Sequence, residues 1–152
     1  MSNDLDPVRR LRVLAAGLHA GMYAEEHIPL PYEQVWAVAA DLPAELPRLV
    51  PFLHAFHVPE GDADRKQALA VARPGLREEF DVRLASGWCL MQSRLIVGGM
   101  AAVPEGGGTR FAVLGATRPT ALRPVQWLYG RLLGDRRGRA FVGRVAERAR
   151  LR

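Results

Sequence analysis

Four histidines and one cysteine are the side chains in this sequence best suited to acid–base, nucleophilic or metal chemistry. His54 and His57 stand together in "HAFH". Along a strand, a spacing of three places them on opposite faces. No Cys, Asp or Glu set at zinc-ligand spacing accompanies them, so they are expected to face solvent and no metal site is assigned. His19 and His27 are isolated. Cys89 would need a base and an electropositive setting to act as a nucleophile. Its neighbours in "WCLM" are apolar, which predicts a core or cavity-wall thiol. There is no G-x-S-x-G and no Ser–His–acid arrangement. "EGGGT" resembles a phosphate loop, but it lacks the Gly-Lys-Ser/Thr ending and a hairpin accounts for its glycines. No catalytic residue, cofactor site or metal site follows from these residues.

The elements that would position such groups come from periodicity and punctuation. "DPVRRLRVLAAGLHAG" predicts a helix with Asp6 as N-cap, Pro7 at its first position and Gly21 as its stop. "YAEEHIPL" is extended, "PYEQVWAVAADL" is helical, and "PAELPRLVPFL" is a second short helix punctuated by Pro43, Pro47 and Pro51. From "HAFHV" to residue 118 the period changes to two. In "LREEFDVRLA", Phe80, Val82 and Leu84 share one face while Glu79, Asp81 and Arg83 share the other. "WCLMQSRLIVGGMAAV" reads as one long strand, with Cys89, Met91, Ser93, Leu95 and Val97 on one face and a bulge at Gly98 and Gly99. "TRFAVLGAT" is the last strand, and the remainder is helical over most of its length. An antiparallel sheet of this length, with one substantial helix to cover it, must curl around that helix.

The 152 residues, 49% of them hydrophobic, suit one domain with a sizeable core. A single cysteine fits a reducing compartment. The amino terminus lacks a signal-like pattern, and no apolar run approaches a membrane span. The expected location is the cytoplasm. The formal charge of +5 is unevenly placed. Residues 131–152 carry eight arginines against Asp135 and Glu147, for +6, and the rest of the chain carries −1. Contact with nucleic acid or an anionic membrane is one reading of that segment. The arginines alternate with Ala, Val and Phe at helical spacing, so the outer face of an amphipathic helix is the simpler reading, and nucleic acid is not assigned as a partner.

The element order, "HIPLPYEQVWAVAADLPAELPRLVPFL" and the later "VPEGGGTRFAVLG" together resemble the START/polyketide-cyclase superfamily. Its members share a helix-grip fold with the birch-pollen allergen. The resemblance covers residues 23–152, so residues 1–22 read as an N-terminal helical extension. It implies an α+β fold in which a curved antiparallel sheet wraps a long C-terminal helix, with two short helices after the first strand. It also implies an apolar cavity between sheet and helix that binds a hydrophobic small molecule or lipid. On the alternation above, Phe80, Val82, Leu84, Cys89, Met91, Ser93, Leu95, Phe111 and Val113 would line it. An aromatase/cyclase activity using Ser93, Arg94 or a histidine at the mouth is an alternative. An interaction module acting through the basic C-terminal helix is a third.

Within the C-terminal helix, "WLYGRLLGDRRGRAF" repeats glycine at 130, 134 and 138. Each costs roughly 1 kcal/mol relative to alanine inside a helix. Trp127, Gly130, Gly134 and Phe141 fall on one stripe and are assigned to the cavity wall. A break or kink is expected at 134–138, with Asp135 capping a new helix.

Overall fold

Residues 5–61, 64–118, 121 and 123–152 are described in the computed structural model of the chain. Parts of the "PEGDAD" turn and of the approach to the terminal helix, at 62–63 and at 119, 120 and 122, lie outside them. The first helix, α1, runs Pro7–Gly17; the Asp6 side chain accepts from the Arg9 amide at 2.9 Å, so the predicted cap is made. The helix stops at Gly17 rather than at Gly21, and the chain turns through His19 at a φ of 51°. Strand β1 (Met22–Ile28) leads into two short helices, α2 (Tyr32–Ala40) and α3 (Leu42–Leu49). Six strands follow: β2 (Leu53–His57), β3 (Arg65–Ala72), β4 (Leu76–Ala85), β5 (Trp88–Gln92), β6 (Ile96–Glu105) and β7 (Gly108–Thr117). They form one antiparallel sheet in the order β1-β7-β6-β5-β4-β3-β2. The two short helices carry the chain from one sheet edge to the other, which is why β1 and β2 do not pair.

The segment expected as one long strand is a hairpin. Gln92 pairs with Val97, and the Ser93 hydroxyl accepts from the amides of Leu95 (3.1 Å) and Ile96 (3.0 Å). A serine hydroxyl thus supplies the acceptor that closes a turn lacking Gly, Pro or Asn. Gly98 and Gly99 form no bulge. A Cβ on Gly99 would lie 2.8 Å from Leu11, so that glycine admits a side chain of α1.

The sheet is apolar on both faces at its β1–β7–β6 side. On the convex face, Val8, Leu11 and Ala15 of α1 pack on Ala101, Ala112 and Leu114. Arg12 bonds Glu25, Tyr23 donates to the same carboxylate at 2.5 Å, and Arg10 lies 4.4 Å over the Trp88 ring. The concave face holds the larger core, where Val35 and Val38 of α2 and Leu42, Leu46 and Leu49 of α3 meet Val82, Cys89, Met100 and Phe111. Each large side chain fully buried there contributes about 1.5–3 kcal/mol.

The terminal helix is continuous where a break was expected. Helix α4 (Arg123–Tyr129) passes through a π-helical turn (Gly130–Gly134) into α5 (Asp135–Leu151). Gly134 and Asp135 both have right-handed helical backbone, and Asp135 makes no cap. Arg144, Arg148 and Arg152, four residues apart on one face of α5, grip the short helices. Arg144 donates to the Leu49 carbonyl at 2.9 Å, and Arg152 to the Ala37 carbonyl at 2.8 Å and to Asp41 at 2.5 Å. Arg148 makes a two-pronged bond to Glu45, at 2.8 and 3.0 Å. Glu45 is almost fully buried, and the Arg148 guanidinium holds its carboxyl below the ordinary value of 4.5. Glu45→Gln should therefore cost roughly 2–3 kcal/mol in urea melts at neutral pH. A depressed carboxyl stabilises the fold above its unfolded value and loses that contribution as pH falls through the folded one. The deficit of the variant relative to the wild type should shrink on acidification below about pH 4.

Candidate ligand-binding site

The residues expected to line a cavity separate into three groups. Val82, Cys89, Met91, Phe111, Val113 and Phe141 come together on the concave side, buried in one cluster with α2, α3 and α5. They form packed core. Burial pushes the Cys89 thiol up to about 12, which keeps it a neutral, apolar wall group. Phe80 and Leu84 also face the concave side, but both remain half-buried at its edge. The Phe80 ring meets that of Phe56 at 6.0 Å and 56°. Met100, Ala68 and Ala70 belong to the same concave surface and were not singled out in the sequence; alternation along β3 and β6 carries the signal.

Ser93, Leu95, Trp127, Gly130 and Gly134 stand elsewhere. Ser93 is buried, with its hydroxyl engaged in the hairpin turn, and that turn ends the alternation, so Leu95 is exposed. Trp127 is also exposed. Gly130 and Gly134 do not face a cavity. A Cβ on Gly130 would lie 3.0 Å from the Gly21 carbonyl oxygen, and one on Gly134 would overlap the same atom. A Cβ on Gly138 would lie 2.7 Å from that of Ala24. The glycines make room for the backbone entering β1.

The π turn belongs to the same arrangement. Glycines four residues apart drift by about 40° per turn around a helix of 3.6 residues per turn. One wider π turn takes up that drift and keeps Gln126, Gly130, Gly134 and Gly138 on the buried side. Gln126 locks the upper end. Its Nε2 donates to the His19 carbonyl at 2.6 Å and to that of Leu18 at 3.3 Å. Its Oε1 accepts from the amide of Thr117 and, at 2.9 Å, from the Thr117 hydroxyl. A buried amide satisfied on both ends is costly to remove.

The candidate acid–base groups are dispersed. Arg94 is exposed, as are His54 and His57 on the edge strand β2. The two histidines do not straddle the strand as their spacing predicted. A bulge between Leu53 and Ala55 shifts the alternation. Both therefore border one open groove of about 430 Å³, with Arg48 and Arg73.

Alanine substitutions along the helix should separate spine from surface. Gly134→Ala forces the Gly21 carbonyl away and should destabilise by roughly 1–3 kcal/mol, as overpacking does. Gly143→Ala meets nothing within 4 Å and should stabilise by about 1 kcal/mol. Calorimetric melting temperatures compare the two. Cys89 should react with a thiol reagent orders of magnitude more slowly in native protein than in urea.

No protein-family model matches the sequence, and no curated protein matches it. Solved structures do. The chain is similar to TTHA0849 from Thermus thermophilus, with a TM-score of 0.61 at 18% identity, over 86% of this chain and 97% of that one. It is similar to the Zhui aromatase/cyclase from Streptomyces sp. R1128, with a TM-score of 0.60 at 15% identity, over 86% and 94%. It is also similar to Ara h 8.0201, with a TM-score of 0.55 at 13% identity, over 86% and 97%. A seven-stranded curled sheet, two short helices after the first strand and a long helix laid in its concave side give this chain the helix-grip fold of the START/polyketide-cyclase and birch-pollen-allergen proteins.

Proposed function

We propose that the protein binds a hydrophobic small molecule or lipid between the concave face of its sheet and its C-terminal helix. The supporting observation is where the helix lies. Helix α5 packs on β1, β7 and α2, and no described helix approaches the concave side of β3–β5 as closely. Phe80 and Leu84 are left half-buried there, apolar side chains on an inward face at the edge of the core. Ligand sites of this kind are mostly apolar with few polar groups. At the ends of the same faces, alternation sets Lys66 and Glu78, the polar side chains available to orient a ligand. In this reading residues 23–152 are the binding domain, and residues 1–22 are an extension whose helix covers the convex face. A lone, buried and unreactive thiol agrees with a cytoplasmic setting.

Titration with the apolar fluorophore anilinonaphthalene sulfonate, together with native mass spectrometry of freshly purified protein, tests this. One equivalent of probe should bind and raise the melting temperature. Leu84→Trp, which enlarges a half-buried side chain on the proposed binding face, should weaken binding about tenfold while leaving the unliganded melting temperature within a few degrees. A protein that carries no apolar molecule and whose melting temperature ignores the probe does not have this function.

A further inference from the structure

The glycine spine also shapes the outer surface. Because α4 and the π turn lay Gln126 and their glycines on the chain entering β1, most of their apolar side chains point away from the core. Val125, Trp127, Leu128 and Leu132 are all exposed, Leu128 at 51% and Leu132 at 69%. Around the helix, Leu128 and Leu132 lie opposite the buried stripe, with Val125 and Trp127 flanking them. The tip of the β5–β6 hairpin adds Leu95 and Ile96, also exposed. It is a neighbour of α4, since Ile96 pairs with Thr117 and the Thr117 amide donates to Gln126. Two elements thus present six apolar side chains at one end of the molecule. Scattered apolar side chains on a surface are ordinary, but contiguous ones rimmed by polar groups mark an interaction site.

The rim is cationic. Between residues 118 and 139 there are six arginines and a single acid, Asp135. Arg131 lies 5.3 Å over the Trp127 ring, which holds its charge beside the apolar face. Three of the basic groups further along, Arg144, Arg148 and Arg152, are spent on α2 and α3. Arg139 reaches Glu26 at 3.8 Å, so Arg118, Arg123, Arg131, Arg136 and Arg137 remain to border this end of the helix. An exposed Trp and leucines bordered by arginines is the composition of a surface that lies in a lipid interface, with aromatic and guanidinium groups at headgroup level. A nucleic-acid surface calls instead for basic groups along a polar groove. No described helix is long and apolar enough to cross a membrane, and the proposed contact is a peripheral one.

We propose that the α4–π-turn face and the β5–β6 hairpin tip dock the protein on an anionic phospholipid surface. Docking at this face does not require a ligand in the internal site.

The test is co-sedimentation of the full chain with vesicles of phosphatidylcholine alone and of equal parts phosphatidylcholine and phosphatidylglycerol. Binding should be at least about tenfold tighter to the anionic vesicles and should be lost at about 1 M salt, where charges are screened within ~3 Å. The fluorescence of the protein should shift to the blue on binding, and Trp127→Phe should remove most of that shift, since Trp36 and Trp88 lie outside the patch. The double variant Leu128→Ser, Leu132→Ser changes only exposed side chains, so it should keep its melting temperature and lose anionic-vesicle binding about tenfold or more. Three results overturn the proposal: no binding to anionic vesicles, equal binding to both vesicle types, or vesicle binding unaltered in the double variant. Self-association that disappears in the double variant, without vesicle binding, assigns the face to a second copy instead and also overturns it. Probe titration of the Leu128→Ser, Leu132→Ser variant in vesicle-free solution reads the internal site without this face, and vesicle binding of Leu84→Trp reads this face without the internal site, so loss of either activity leaves the other measurable.

Discussion

Backbone packed on backbone, where the glycine edge of the terminal helix lies against Gly21–Ala24, is the contact on which the rest of the arrangement depends. Side chains normally hold helix and sheet apart. At Gly130, Gly134 and Gly138 there are none, and the helix sits directly on the chain entering β1. That proximity draws α5 toward β1 and β7 and away from β3–β5. The uncovered part of the concave face and the outward crowding of Val125, Trp127, Leu128 and Leu132 follow from the same placement. Helix propensity is sacrificed at three positions, and a π turn is accepted, to keep one stripe against one strand.

Guanidinium groups do two unlike jobs along this helix. At its carboxyl end they reach carbonyls and carboxylates of α2 and α3, closing the layer that carries the first strand to its far edge. Near the glycines they border an apolar surface. A sum of formal charge cannot distinguish these uses, because it counts a half-buried, paired Arg148 and an exposed Arg131 alike. Only after the paired groups are removed does the remaining charge point to a location.

Much of the fold was legible because its signals are local. Asp6 followed by Pro7 marked a helix start, and "LREEFDVRLA" showed its two faces in its alternation. The resemblance supplied the way these pieces wrap. The candidate wall was legible in part: residues of β4, β5 and β7 share the concave side because alternation persists within a strand. It was lost wherever the backbone departs from the period. A serine-closed turn removed Leu95 from the set, and a bulge brought His54 and His57 to one groove. The turn rests on a lone serine without Gly, Pro or Asn beside it, and the bulge carries no glycine, so both signals are weak in the sequence.

Taken alone, the sequence determined element types, the inward and outward faces of regular strands, and the concentration of charge at one end, since each depends on residues a few positions apart. The tertiary structure decided what the glycines are for. Their spacing was read as a cavity wall or a break, but the group they admit, the carbonyl of Gly21, lies more than a hundred positions earlier in the chain. Whether such a stripe opens space for a ligand, breaks a helix or admits a neighbouring backbone depends on what is brought opposite it, and no local pattern contains that partner.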